Sequence, residues 1–156
     1  MTSYVRRCAV LFVTALILHI PTIANASHCE DSVAIAVSVQ GTVEEKRVDQ
    51  WSPVKRGDAF CAGDIVRVRK DSRAIIRLSV EQTNITLDQH STLSFSAKKE
   101  DTFSWVELLK GAAHFISRVP QSLKIKTPYV NAAVEGTEFL ILVKENQTEV
   151  PVFEGS

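Results

Sequence analysis

The sequence has no surplus of either charge: 18 Lys and Arg stand against 18 Asp and Glu, a formal net charge of zero. Phosphate affinity rests on a basic surplus, so its absence argues against a nucleic-acid partner. Beyond the first 20 residues no apolar run approaches the roughly 20 residues that a helical span needs, which argues against a multi-pass membrane protein. Chemical signatures are missing as well. There is no Gly-x-Ser-x-Gly nucleophile elbow, no phosphate-cradling glycine loop, no zinc-ligand spacing and no EF-hand pattern. No linker, low-complexity stretch or charge block divides the chain, so its 156 residues read as one domain behind a short leader. What the sequence does have is apolar side chain, 45% of its residues, enough to bury a core and to set disorder aside.

The leader is an export address. Arg6 and Arg7 make a positive start, Cys8 to Ile20 an apolar run, Pro21 a break, and Ala24-Asn25-Ala26 a small-residue cleavage sequence. Those are the parts of a secretory signal, a helix followed by cleavage near Ala26. The expected mature domain, residues 27–156, then works in the periplasm or outside the cell, with no membrane insertion once the signal is gone. Export also decides how the cysteines read. Cys8 leaves with the signal, while Cys29 and Cys61 remain. In an oxidising compartment an even pair reads as a disulfide, worth about 3–4 kcal/mol for a loop of this length. Two free thiols are the alternative. A metal site fits poorly, because His28-Cys29 is not a chelating spacing and no second Cys/His pair exists.

The mature chain reads as strands and turns. Val33 to Val39 is an apolar run, and a period of two then recurs in Ile65–Arg69, Arg73–Ser79, Thr83–Leu87 and Leu93–Phe95. Later pieces are Trp105–Leu109, Ala112–Ile116, Leu123–Thr127, Glu138–Val143 and Thr148–Phe153. Turns are expected at Gly57-Asp58, Gly63-Asp64, Lys110-Gly111 and Gly136-Thr137, where glycine supplies positive φ and an adjacent Asp can bond the backbone. Pro151 has no amide to donate, so the last strand belongs at an edge. The fold expected is all-β, short strands stacked in a solenoid-like or β-roll arrangement, with a β-sandwich as the alternative. Alternation places Ile76, Leu78, Ile85, Leu87, Leu93, Phe95, Phe115, Ile125, Phe139 and Ile141 in one core.

The order of these pieces resembles the FecR domain, the periplasmic sensing module named for a bacterial ferric-citrate regulator. The resemblance runs through Val39-Gln40-Gly41-Thr42-Val43, Trp51-Ser52-Pro53-Val54, Gly57-Asp58 and Cys61-Ala62-Gly63-Asp64-Ile65-Val66-Arg67-Val68. It continues through Ser72-Arg73-Ala74, Thr86-Leu87-Asp88-Gln89, Leu109-Lys110-Gly111, Ile125-Lys126-Thr127-Pro128 and Val134-Glu135-Gly136-Thr137-Glu138-Phe139. It covers about Val33 to Ser156. The family's regulators carry an anti-sigma region and an uncleaved span ahead of this domain, where this sequence carries a signal. The resemblance therefore implies envelope proteins as partners and no sigma factor. It also leaves open a truncation at the C-terminus, since relatives continue past Gly155-Ser156 with another strand.

Candidate chemistry is sparse. His90 falls in a turn and His114 in a strand, neither beside a recognisable nucleophile, so no catalytic residue and no cofactor are expected. Glu135 and Glu138 could form an acid/base pair, but solvated acids at a turn explain them more simply. Arg67, Arg69, Arg73 and Arg77 could line up as a basic stripe facing an acidic partner. Trp51 and Trp105 could instead serve as platforms for peptidoglycan or another carbohydrate. The sequence thus points to a non-enzymatic protein-interaction or signal-receiving module, with a carbohydrate-binding module as the competing reading.

Overall fold

Alternation of apolar and polar side chains decides the architecture. The computed structural model describes residues 32–79, 82–96 and 105–155, with the side chains of 105, 118–123, 132, 134–136 and 154–155 left aside. The strands are β1 (Ser32–Gln40), β2 (Val43–Arg47), β3 (Gln50–Pro53), β4 (Ala59–Cys61), β5 (Ile65–Val68) and β6 (Arg73–Leu78). Then come β7 (Asn84–Leu87), β8 (Thr92–Phe95), β9 (Trp105–Lys126), β10 (Asn131–Val143), β11 (Thr148–Glu149) and β12 (Val152–Gly155). They form one sheet with the order β3-β2-β5-β8-β9-β7-β6-β1-β4, and β10 joins β9 to β11 and β12. No helix occurs among the described residues, and none there is long and apolar enough to cross a membrane. The expected signal helix lies outside them.

The sheet curls because its long strands bend along one line. β2 pairs with β5, β5 with β8, and β8 with the first part of β9. On the far side of the bend β1 pairs with β6, β6 with β7, and β7 with Ala113–Ile116 of β9. β1–β2, β5–β6 and β7–β8 are therefore each two halves of one bent path, and β9 makes the same passage without a break. The corner residues share a left-handed backbone: Gly41 at φ +72°, Asp71 at +54°, His90 at +62° and Gly111 at +89°. Two buried serines bridge the corners. Ser72 Oγ accepts from Thr42 N at 2.8 Å, and Ser91 Oγ both accepts from Ala112 N and donates to Ala112 O, each at 2.9 Å. These bonds satisfy backbone groups that the bend removes from the ladders.

The curl brings apolar faces together. All ten residues expected to share a core do so, joined by Phe60, Val66, Val68, Val106 and Leu108. Phe60 of β4 stacks on Phe95 of β8, with ring centroids 5.1 Å apart, and Phe115 stacks on Phe139 at 4.8 Å. Pro151 stands between β11 and β12, which pair with β10 at the sheet's margin.

Several expectations need correction. The structure is all-β, but every described ladder is antiparallel and the strands fold back along the corner line. They do not stack as solenoid rungs, because successive bent strands reverse direction. The three strands expected within 105–127 are one strand, β9, in which Gly111 makes a corner without ending the strand. Gly136 and Thr137 lie inside β10, not at a turn; the register jumps there from Glu138↔Ile116 to Gly136↔Gln121, a bulge. Thr137 Oγ1 is buried and finds no partner among the described residues. Strands β2, β3 and β4 fall in segments that show no clear apolar period.

Candidate interaction surfaces

The arginines expected to form one stripe are divided by the corner. Arg67 belongs to β5 and Arg69 follows it, whereas Arg73 and Arg77 belong to β6, and β8, β9 and β7 separate those strands in the sheet. Each guanidinium is also engaged. Arg67 Nε and Arg69 Nε both donate to Glu44 Oε2, at 2.8 and 2.6 Å, which holds the Glu44 carboxyl below its usual value. The Arg67 guanidinium also lies 3.5 Å from the centroid of the Trp51 ring. Arg73 pairs with Asp88 at 2.7 Å, and Arg77 donates to Asn84 Oδ1 at 3.1 Å. Glu44 and Asp88 thus engage three of the four guanidinium groups and the Asn84 amide holds the fourth, and the four do not line up as one stripe.

The two Gly-Asp turns share one local device. Gly57 and Gly63 stand at φ +93° and +94°. Asp58 Oδ2 accepts from Lys55 N at 2.6 Å, and Asp64 Oδ2 accepts from Cys61 N at 2.8 Å. Asp64 does more than its turn requires. It is buried and receives Arg47 Nη2 at 2.8 Å, while the same guanidinium nitrogen donates to Ala59 O at 3.1 Å and Glu45 Oε2 at 3.3 Å. Burial pushes the Glu45 carboxyl up, and the bond to Asp64 pushes Arg47 up. This cluster fastens β2 to the β4–β5 turn. Sequence reading missed it, because an inward Glu and Arg in a strand look like solvated residues until their partner is known.

A polar cleft of about 370 Å³ lies over the corner line, lined by Gln40, Asp71, Ser72, Arg73, Asp88 and Gln89. Its Arg73 and Asp88 neutralise each other. Among the described residues no group of three or more His, Cys, Asp or Glu could hold a metal ion. His90 is spent on a corner, with its backbone N–H donating to Val68 O at 2.9 Å.

The outer face of the layer built from β1, β6, β7, β9 and β10 is different. Register places Ile35, Arg77, Asn84, Ile116 and Glu138 in one transverse row, and Ser38, Ile75, Thr86, His114 and Leu140 in the next. Ile116 is 41% exposed, and Phe153 at the β12 margin is 62% exposed. The Phe153 ring meets His114 edge-on at 6.1 Å, and His114 Nε2 lies 3.0 Å from Glu138 Oε1. Ile35, Ile75, Ile116 and Leu140 therefore alternate on this face with Ser38, Arg77, Asn84, Thr86, His114 and Glu138, and Phe153 stands at its margin. The sequence signal was available: Glu138–Val143 is apolar at both strand parities, which a singly buried strand does not need.

Trp51, the aromatic platform of the carbohydrate reading, is 37% exposed on β3, with Arg67 against its ring. The side chain of Trp105 is not described. Cys61 pairs in register with Ser32, while Cys29 lies outside the described residues. The profile of the FecR protein family matches residues 64–156, more than half of the chain. The pieces of the resemblance before Asp64 lie outside that span. No curated protein and no solved structure matches the sequence.

Proposed function

The chain belongs to the FecR family of signalling proteins, and on that premise we propose that it is a non-enzymatic, exported module that receives a signal in the cell envelope by binding protein. One observation carries this reading: the outer face of the second layer bears Ile35, Ile75, Ile116, Leu140 and Phe153 where a solvated antiparallel sheet normally turns polar side chains. Apolar side chains set among Arg77, Asn84, Thr86, His114 and Glu138 give the mixed composition of a non-obligate protein interface, which offers burial and hydrogen bonds together. The carbohydrate alternative draws less support, since the Trp51 ring already carries a guanidinium. Ile116→Lys tests the assignment. The new ammonium faces Glu138 across the strand pair, so the fold should lose no more than about 0.5 kcal/mol. Capture of envelope proteins by the mature domain should fall at least tenfold. Capture that survives Ile116→Lys, or binding to isolated peptidoglycan that is lost in Trp51→Ala, would favour the carbohydrate reading.

In this reading residues 1–26 are removed on export, and Cys29 and Cys61 join as a disulfide. The Ser32↔Cys61 pairing supports the second point, because Ser32, which stands opposite Cys61, follows Cys29 closely in the sequence. Mass spectrometry of unreduced peptides is expected to find Cys29 linked to Cys61. Two thiols open to alkylation in the exported protein would contradict it.

A further inference from the structure

The β2–β3 hairpin sets backbone against side chain. Its two-residue turn, Val48-Asp49, has both residues at positive φ, +45° and +66°, the primed turn that Asn-Gly suits. A β-branched residue in that region is a steric outlier, and such strain persists where it serves a purpose elsewhere. Packing among the described residues does little to offset it, because Val48 is 92% exposed, the most exposed large hydrophobic residue described. The stem beneath is braced. Lys46 Nζ meets Asp49 Oδ1 at 2.7 Å, Arg47 is tied to Asp64, and Trp51 lies under Arg67. An apolar tip in a costly conformation is thus held out on a fixed stem at the sheet's margin. Its neighbour Asp49 has a side chain 91% exposed. A lipid surface is a poor fit, since that carboxylate would have to enter with Val48.

We propose that the β2–β3 hairpin is a docking finger: Val48 seats in an apolar pocket of a partner protein, and a basic group on the pocket's rim shares the exposed Asp49 carboxylate with Lys46, as Arg67 and Arg69 share Glu44. This rests on the protein-binding reading and adds a second contact, on the layer opposite Ile116. Seating Val48 gives the strained tip the burial it lacks in the free domain. It also explains why an exposed turn keeps a residue that the turn disfavours.

The test places a photo-crosslinking benzoylphenylalanine at Gln50, on β3 beside the tip, in the full chain expressed in its own cell. The same probe at Lys70, an exposed corner residue, is the control, and the probe at Ile116 reports the other face. A protein adduct is expected at Gln50 and not at Lys70. Val48→Asn, which tolerates left-handed backbone, should raise the melting temperature and yet reduce the Gln50 adduct at least fivefold. Asp49→Lys should reduce it similarly with little change in melting. The proposal is overturned if Val48→Asn leaves the adduct intact or fails to raise the melting temperature. It is also overturned if Asp49→Lys has no effect on the adduct, or if the adduct is a lipid or a second copy of this chain. A protein adduct at Ile116 without one at Gln50 rejects the finger alone. No adduct at either position rejects the protein-binding reading with it.

Discussion

Gly111→Val should leave the domain unfolded or aggregated. Gly111 stands at φ +89°, and a Cβ added there falls 2.6 Å from Ser91 Cα and 2.9 Å from His90 O. Both are backbone atoms, and Ser91 cannot swing aside without losing its two bonds to Ala112. Strain at a left-handed position costs about 1–3 kcal/mol, overpacking about 1–3 more, and each lost hydrogen bond about 0.5–1.5. The sum is comparable with the roughly 5–15 kcal/mol that holds a domain folded. Gly57→Val is the control, since Gly57 has nearly the same backbone, φ +93°, but nothing within 4 Å of an added Cβ. It should lose the strain component alone. Urea denaturation compares the two directly, and equal losses would mean that the corner is not the tight junction described.

Leu87→Ala should cost about 2–5 kcal/mol. Leu87 is fully buried, and its partners in register are Ala74 on β6 and Ala113 on β9. With small residues on both neighbouring strands, little side chain is at hand to fill the space it leaves. Leu87 is also the last residue of β7 before the bend, where the Ser91–Ala112 bonds restrain relaxation. The loss therefore belongs in the upper half of that range. A change below about 0.5 kcal/mol in a denaturant melt would indicate that β7 is out of register by one residue, which would turn Leu87 to solvent.

Alternation made much of this fold legible. Arg73–Ser79 and Thr83–Leu87 announce their inward residues by period, and the buried set follows it: Ala74, Ile76, Leu78, Ile85 and Leu87. The β2–β3 hairpin was not legible. Val43-Glu44-Glu45-Lys46-Arg47 has one apolar residue, and its inward Glu45 and Arg47 are tolerated only because Asp64 arrives from the β4–β5 turn. The continuity of β9 was hidden for a different reason. Lys110-Gly111 reads locally as a turn, and only the hydrogen bonds supplied by Ser91 show why a corner need not end a strand.

The candidate surfaces divide in the same way. Spacing suggests that Arg67, Arg69, Arg73 and Arg77 align, but spacing cannot reveal a bend between Arg69 and Arg73, the acids that engage the first three or the Asn84 amide that holds Arg77. Ile75 was visibly outward from its own strand. Its membership in a shared face with Ile116 and Phe153 depends on the pairing of β6 with β7, β7 with β9, and β9 with β10. Those contacts are non-local, so no single stretch of sequence carries them.

The outer face around Ile116 as the place where a protein partner sits is tested most directly by a photo-crosslinking residue in place of Ile116 in the full chain. Irradiation of intact cells should give a discrete adduct that protease removes and a peptidoglycan hydrolase does not. It should weaken when Phe153→Ser thins the patch beside it. An adduct released by the hydrolase, or no adduct beyond that seen with the probe at exposed Lys70, would contradict the account.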